Sequence, residues 1–312
     1  MAVVTADFLA GVMTNFRAEF QRAFDAANNA AAWRDLATEV QSNTDTETIQ
    51  WLGTPPQMVD TTKKDLEMKG LESFNYSIQN LTFKAAIEVQ RSTFEDDKLN
   101  LIRPRLEQLG QEAARHPGQL IMQLPVSNGL AFDGTAFIAD TRTIGLSANI
   151  DNNMASGGSG TTLAGFQADL ATARALLRNF QDDQGRPMNN VGNVIMVPSG
   201  LEQLAYMALN ISFPAASPNV GPAVPATTDG VIRANGYSIY VNPYLTDAND
   251  WYLMSVDGAN KPFIYQTRVA PTLENVLDGT EYAVVRDRYI YSVRARYNVG
   301  YGDPRRVVRI VN

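Results

Sequence analysis

Two carboxylates lie close together in the stretch AFDGTAFIADTR, at Asp133 and Asp140. Paired carboxylates of this kind can supply general acid and base catalysis. A catalytic pair also needs a positioned third group, a set of metal ligands or a neighbour that perturbs a pKa. The surrounding sequence offers none of these. We therefore favour a structural interpretation, in which Asp133 and Gly134 form a tight turn that lets Phe132 and Phe137 enter the core.

The composition excludes most chemistry that depends on cysteine or histidine. The chain of 312 residues has no cysteine and one histidine, His116. Disulfides, thiolate nucleophiles, cysteine-ligated zinc and a histidine metal cage within one subunit are therefore ruled out. Because Pro117 follows at once and breaks the helical pattern, we expect His116 to end a helix rather than to act as a ligand or catalyst.

A strand that turns into a helix places Ser199 where a nucleophile can lie. The segment is NVIMVPSGLEQLAYMAL, and its buried strand is predicted at Val194 to Val197. The nucleophile-elbow pattern G-x-S-x-G is absent, and His116 would have to be the only base. Ser199 and Glu202 have the spacing of a capping box, so we interpret both as helix caps.

Two further segments are also interpreted as caps. The run from Gly157 to Thr162 lacks the lysine and the preceding strand of a phosphate-binding loop, so it is predicted to be a flexible link ending in an N-cap at Thr162. The acidic Asp96 and Asp97 are predicted to cap the start of a long helix, where the helix dipole favours negative charge. The sequence predicts no cofactor and no metal.

An amphipathic helix is predicted near the N-terminus. Apolar residues recur at every fourth position between Thr5 and Ala27, and the segment that follows is small and polar. The helix therefore looks tethered rather than embedded, which favours contact with a partner chain, although packing on its own core is the alternative. The predicted partner contacts are Phe8, Phe16 and Phe20.

Two alternating apolar runs surround Gln79 and Asn80 and predict a long two-stranded hairpin. An isolated hairpin is marginally stable in water and must lie on something. We expect it to dock on another subunit, with membership of an ordinary sheet as the alternative. The side chains predicted to dock are Phe74, Tyr76, Ile78 and Phe83.

Further hairpins are predicted in the last third of the chain. Asn235-Gly236 and Asp257-Gly258 each lie between β-rich runs. The strand-like tail is rich in arginine and gives an acidic protein a basic end suited to contacts between subunits. These arginines are Arg286, Arg288, Arg294, Arg296, Arg305, Arg306 and Arg309.

The net charge and the apolar pattern limit the partners. A net charge of −7 at pH 7 argues against tight wrapping of nucleic acid over the whole surface. No stretch approaches the roughly 20 apolar residues that span a bilayer, and residues 1–5 carry no basic leader. We therefore expect the protein to reside in a cytoplasm-like compartment.

The order of these elements resembles the tailed-phage major capsid fold of the Hong Kong 97 type. Several segments, in the same order, resemble the Mu-type phage major head subunit: QNLTFKAAIEVQRSTFEDDKL, AARHPGQLIMQL, AFDGTAFI and DDQGRPMNNVGNVIMVPSGLEQLA. The resemblance extends from about Asn80 to Asn312. That family often has a histidine shortly after its Asp-Gly turn, where this chain has Thr141 and Arg142.

The resemblance implies an α+β subunit with four parts. These are an N-terminal arm (1–45), an extended β-hairpin loop (46–94), a peripheral domain with a spine helix (95–159 and 261–312) and an axial domain (160–260). It also implies a function, that of a major capsid protein without enzymatic activity that self-assembles into hexamers and pentamers of an icosahedral shell. The shell would enclose double-stranded DNA without reading its sequence.

The implied partners are further copies of the chain and scaffold, portal and decoration proteins, with no membrane. The implied location is the phage head, after assembly in the bacterial cytoplasm. Two alternatives remain, an encapsulin-like nanocompartment shell and a carboxylate-dependent hydrolase using Asp133 and Asp140. Some relatives crosslink lysine to asparagine, but Lys63, Lys64 and Lys69 are better interpreted as solvated surface residues.

Overall fold

A computed structural model describes residues 6–52, 73–95, 99–157, 160–209, 236–276 and 285–312. The helices are α1 (Ala6–Asn29), α2 (Arg91–Glu95), α3 (Leu99–Ser127), α4 (Leu163–Asn179) and α5 (Glu202–Leu209), and short 3₁₀ turns cover Ala32–Asp35, Ser199–Leu201 and Pro304–Arg306. The strands are β1 (Ala37–Gln41), β2 (Thr46–Leu52), β3 (Ser73–Gln79), β4 (Leu81–Gln90), β5 (Asn153–Ala155), β6 (Val194–Val197), β7 (Ser238–Val241), β8 (Trp251–Met254), β9 (Phe263–Val276), β10 (Arg288–Tyr301) and β11 (Val307–Val311).

The described strands form two sheets and one separate pair. The first sheet has the order β1-β9-β10-β4, and the second has the order β5-β11-β8-β6-β7. Strands β2 and β3 pair antiparallel and form what we call the β2–β3 ribbon. The chain passes from the first sheet to the second where β10 leads through the turn Pro304–Arg306 into β11. This combination of helices with mixed parallel and antiparallel sheets is consistent with the predicted α+β class, which the comparison with solved structures below confirms.

Helices α1 and α3 pack on the first sheet. The repeat of phenylalanine in α1 creates one apolar stripe, and Phe16 and Phe20 are each 1% exposed. Phe16 meets the ring of Tyr291 on β10 edge to face, with 5.6 Å between ring centroids. Leu106 of α3 is fully buried in the same cluster. The arm helix is therefore part of the core of its own subunit.

Helices α4 and α5 pack on the second sheet. The ring of Phe166 on α4 stacks on Trp251 of β8 at 4.3 Å between centroids. Thr162 caps α4 as predicted, because its Oγ1 accepts a hydrogen bond from Gly165 N at 3.2 Å. Strand β6 is buried along its whole length, which also confirms the prediction for Val194 to Val197.

The predicted pairing of the hairpin is wrong. Strand β3 pairs with β2, whereas β4 pairs with β10 in the first sheet. Asn80 lies between β3 and β4 and is 5% exposed. Its Nδ2 donates to Ser42 Oγ at 2.8 Å, and its Oδ1 accepts from Gln266 Nε2 at 3.0 Å. Because Asn80 is held by these distant partners, the chain changes sheets at this residue instead of folding back on itself.

Two more local predictions are corrected. His116 does not end a helix, because α3 continues through Pro117 to Ser127 and also contains Pro104 and Pro125. Packing of the helix on the sheet compensates for the hydrogen bonds that the prolines omit. Gly258 adopts the positive φ of a turn, at 95°. However, the flanking strands β8 and β9 lie in different sheets, so Asp257-Gly258 does not form a hairpin.

The four predicted domain boundaries stay a prediction, and the strand pairing bears on two of them. Strand β1, in the predicted arm, pairs in parallel with β9 of the first sheet. Strand β11, in the predicted peripheral domain, pairs with β8 of the second sheet. The Asn235-Gly236 hairpin falls partly outside the described residues. Within the described part of the chain, no helix is both long and apolar enough to cross a bilayer.

Candidate assembly surfaces

The turn at Asp133-Gly134 forms as predicted. Gly134 has φ 76° and its N–H donates to the carbonyl of Ala131 at 3.0 Å. Asp133 Oδ1 accepts from Thr135 N at 3.3 Å, and its Oδ2 accepts from Arg142 Nε at 2.7 Å. The carboxylate therefore holds the turn closed and pairs with Arg142, a partner that the sequence pattern does not predict.

The Arg142 guanidinium is fully buried and also donates to two backbone carbonyls of the same turn. Burial lowers the pKa of Arg142, and the adjacent carboxylate of Asp133 opposes that shift. Asp140 lies at the surface, where its Oδ1 accepts from Asn153 Nδ2 at 2.8 Å. The two carboxylates thus have separate partners, which is the arrangement of structural residues and not of a catalytic pair.

The single histidine lines a small pocket between α3 and the first sheet. His116 Nδ1 lies 2.6 Å from Tyr297 Oη, and its ring centroid is 4.6 Å from that of Phe83. Burial lowers the pKa of His116, while the negative charge of Glu112 opposes the shift. The pocket, which we call the His116 pocket, has a volume of about 180 Å³ and is also lined by Ala85.

The described residues do not indicate a metal centre. They contain no group of three or more histidine, aspartate and glutamate side chains placed to hold an ion. The predicted caps Asp96 and Asp97 lie outside the described residues, as do Lys63, Lys64 and Lys69.

Ser199 does not cap a helix, contrary to the prediction. The residue preceding the 3₁₀ turn is Pro198, and Ser199 is the first residue within the turn. The turn closes through Leu201 N, which donates to the Pro198 carbonyl at 3.1 Å, and α5 begins only at Glu202. Because the serine is inside the turn, it is not in the extended conformation that a capping side chain needs.

The predicted arm contacts Phe16 and Phe20 face the core of their own chain, as described above, and present almost no surface to a neighbour. The side chain of Phe8 lies outside the described residues. Contact of the arm with another subunit therefore stays a prediction, and it now depends on the exposed side of α1, which includes Asn15 and Arg17.

The residues predicted to dock the hairpin also have partners in their own chain. Phe74 lies 5.5 Å from Phe132 between ring centroids, and Tyr76 Oη accepts from Tyr301 N at 3.1 Å. Ile78 is 4% exposed and packs over Gly300, where a Cβ atom would lie only 2.6 Å from Ile78 Cδ1. These contacts fix the base of the β2–β3 ribbon on its own subunit, and docking on a neighbour stays a prediction.

The arginine-rich end is less basic than the sequence suggested. Arg305 is buried and makes two hydrogen bonds to Asp303, at 2.9 and 3.0 Å. Arg309 pairs with the buried Asp250. Two arginines of β10 also have acidic partners: Arg288 pairs with Glu88 and Arg296 with Asp45, each at 2.7 Å. Much of the positive charge is therefore neutralised within the subunit.

Comparison with known proteins identifies the family. The family model for the Mu-like prophage major head subunit gpT matches residues 9–165 and 228–309. The Mu-like prophage FluMu major head subunit of Haemophilus influenzae is 25% identical over 305 residues, covering 97% of this chain and 72% of that protein. The major capsid protein of Escherichia phage Mu is 32% identical over 122 residues, or 39% of each chain.

Solved structures support the same fold. A chain of the procapsid of bacteriophage JBD30 has a TM-score of 0.56 at 21% identity, covering 99% of this chain and 76% of that one. A chain of a virus-like particle from Pyrococcus furiosus has a TM-score of 0.52 at 11% identity, covering 96% of this chain and 98% of that one. The predicted capsid fold is thereby confirmed. Because the family model spans well over half of the sequence, this chain belongs to the Mu-like prophage major head subunit gpT family.

Proposed function

We propose that this chain assembles with identical copies into the hexamers and pentamers of an icosahedral phage head that encloses double-stranded DNA. The observation that carries the proposal is the match of the family model to both ends of the chain, at residues 9–165 and 228–309. The family is one of structural head subunits, so the chain is a capsid protein and not an enzyme. The hydrolase alternative is accordingly rejected.

Assembly would draw on many weak contacts among identical copies. Closed symmetry repeats each contact, so no single residue has to supply most of the binding energy. Apolar burial contributes roughly 25 cal/mol per Å² before ordering is subtracted. The β2–β3 ribbon suits such a contact because its strands pair only with each other among the described strands. Ile78 and Tyr76 pack against Gly300 and hold the base of the ribbon on the first sheet. A fixed base would orient the rest of the ribbon toward a neighbouring copy.

The charge distribution supports enclosure of DNA without tight binding. The net charge of −7 disfavours nonspecific affinity for phosphates. Pairing of Arg288, Arg296, Arg305 and Arg309 with carboxylates removes much of the local positive charge that nucleic acid would otherwise meet.

Four finer points belong to the same proposal. Scaffold, portal and decoration proteins are the expected partners, and assembly is expected in the cytoplasm of the bacterial host. The subunit is expected to divide into an arm (1–45), an extended loop (46–94), a peripheral domain (95–159 and 261–312) and an axial domain (160–260). No lysine–asparagine crosslink is expected, so a denatured shell should give only the 34.2 kDa chain by mass spectrometry.

The contents of native particles test the proposal against the nanocompartment alternative. Particles would be purified from lysates of cells carrying the encoding phage genome, treated with nuclease and then opened. Nuclease-protected double-stranded DNA is the expected result. Shells that contain an enzyme cargo and no protected DNA would overturn the proposal in favour of a nanocompartment.

A further inference from the structure

Strand β4 forms one long edge of the first sheet among the described strands. Its ten residues pair with β10 on one side, and no described strand pairs with the other side. A long open edge presents a row of backbone donors and acceptors, and proteins normally cover, shorten or interrupt such an edge. Strand β4 contains no proline, and its pairing with β10 is continuous from Leu81 to Gln90. The edge is therefore suited to accept another strand.

The two faces of β4 differ in character. One face of β4 is turned toward α3. Phe83, Ala85, Ile87 and the buried Val89 alternate along this face. On the opposite face, Lys84, Ala86 and Glu88 are all exposed. A strand that extends this sheet must therefore offer apolar side chains on one face and polar, charged ones on the other.

We propose that β4 pairs antiparallel with β4 of a second copy about a two-fold axis at Ala86. In this register Lys84 of each copy lies opposite Glu88 of the other, and Ala85 lies opposite Ile87. The sequence of β4 is then its own complement, as a contact between identical surfaces requires. The inference rests on the proposed function only in that shell assembly brings copies together.

Charge complementarity selects this register. A two-fold axis perpendicular to the sheet keeps both apolar faces on the same side, and the axis must then pass midway between two copies of the same residue. An axis at Ala85 or Ile87 would place Lys84 opposite an uncharged residue. Only the axis at Ala86 pairs Lys84 with Glu88 twice, and opposite charges directly across a strand pair are favourable.

The described part of each copy leaves Lys84 available for this contact. The Lys84 ammonium makes no ion pair or hydrogen bond with any residue that the structure describes. Glu88 accepts from Arg288 Nη1 at 2.7 Å, and the side chains of this pair remain 43% and 46% exposed. A lysine brought opposite Glu88 would therefore add a positive charge beside a half-exposed carboxylate, rather than enter a buried site.

Side-chain size is complementary on the apolar face. Ala85 lines the His116 pocket, which has a volume of about 180 Å³. In the proposed register Ile87 of the second copy lies opposite Ala85, so that a large side chain meets a small one beside a pocket. Phe83 then lies opposite Val89 of the second copy. Each two-fold contact would repeat both pairs, since the two copies are equivalent.

A single introduced thiol tests the register, because the chain has no cysteine. The variant Ala86→Cys would place two thiols directly opposite each other, within the Cα separation that a disulfide allows. The control Thr82→Cys is also at an exposed position and on the same face. In the proposed register the two copies of position 82 lie eight residues apart along the strands, about 26 Å.

Each variant would be expressed in full length, checked for folding by circular dichroism, oxidised, and run on a non-reducing gel with and without assembly into shells. We expect at least fivefold more disulfide-linked dimer from Ala86→Cys than from Thr82→Cys. Equal linking of the two variants, linking to a different protein, or no linking of Ala86→Cys would each overturn the proposed register. Shells that form while Ala86→Cys stays unlinked would leave the proposed function standing, whereas absence of shells for every variant would count against that function instead.

Charge reversal gives a second, independent test. Lys84→Glu and Glu88→Lys each place like charges opposite one another twice, so each variant alone should lower the yield of dimer or shell severalfold. When the two variants are mixed, opposite charges face each other again, and the yield should recover. Failure of the mixture to recover, with both variants folded, would contradict pairing of Lys84 with Glu88.

Discussion

Arg142 Nε lies 2.7 Å from Asp133 Oδ2, and the two side chains are 0% and 7% exposed. This pair closes the turn whose aspartate first suggested catalysis. A buried guanidinium needs its counter-charge, because desolvation without a partner is strongly unfavourable. The carboxylate of Asp133 therefore stabilises its own chain by pairing with Arg142.

Asp133→Asn should destabilise the subunit by about 3–5 kcal/mol, because it leaves Arg142 buried without its counter-charge. Asp140→Asn is the matched control, since that carboxylate is exposed and should change the free energy of unfolding by no more than about 0.5 kcal/mol. Urea denaturation followed by circular dichroism measures both. Equal, small effects of the two substitutions would show that the buried pair contributes little.

His116 should make the subunit less stable in mild acid. Burial lowers its folded-state pKa below the ordinary value of 6.5, so the unfolded chain takes up the proton first as the pH falls. Stability is therefore unaffected well above pH 6.5 and is lost progressively below it, until the folded-state pKa is passed. The melting temperature should fall more between about pH 7.5 and about pH 5.5, a range that contains the ordinary histidine pKa, in the native chain than in His116→Gln.

Both proteins in that comparison carry the same carboxylates, so the difference between their pH profiles isolates the histidine. Identical profiles would contradict the inferred shift of the His116 pKa. Glu112, the carboxylate whose negative charge acts on His116, is unchanged in both proteins.

Phe20→Ala should destabilise the isolated subunit by about 3–5 kcal/mol, because the ring is 1% exposed in the cluster shared with Leu106. Asn15→Ala, at an exposed position of the same helix, should change stability by no more than about 0.5 kcal/mol. Chemical denaturation of unassembled subunits is the measurement. If Phe20→Ala impaired only assembly and left the subunit stable, α1 would act as a partner-binding arm after all.

Gly300→Ala should loosen the base of the β2–β3 ribbon. The added methyl group would lie 2.6 Å from Ile78 Cδ1 and 3.1 Å from Tyr76 Cε1, so the Ile78 side chain or the strand that carries it must shift. Overpacking of this kind typically costs about 1–3 kcal/mol. Gly11→Ala has no atom within 4 Å and lies in α1, so it should instead stabilise by roughly 0.5–1 kcal/mol. In thermal denaturation we expect the melting temperature to fall for Gly300→Ala and to rise for Gly11→Ala. An unchanged melting temperature for Gly300→Ala would contradict the close contact.

Local structure was largely predictable because it depends on nearby residues. The Thr162 cap, helix α4 and the Asp133-Gly134 turn each follow from side chains within a few positions. Strand β6 was found from its apolar composition. The family was also recognisable, because several segments in a fixed order carry far more information than any one of them.

Pairing over long distances was not predictable from the sequence. Asn80 looked like part of a hairpin turn, yet its side chain binds Ser42 and Gln266, which are far away in the chain. The arginine that pairs with Asp133 is nine positions later, in an irregular segment with no periodic pattern. The phenylalanines of α1 gave the correct stripe, but periodicity does not say whether a stripe meets its own core or another chain.

Electron microscopy and light scattering on the protein expressed alone test self-assembly most directly. The account predicts closed shells, tubes or capsomer rings, with a scattering mass many times that of the 34.2 kDa chain. A folded species of 34.2 kDa that stays monomeric at high concentration, and also in the presence of the scaffold protein encoded by the same phage, would contradict it.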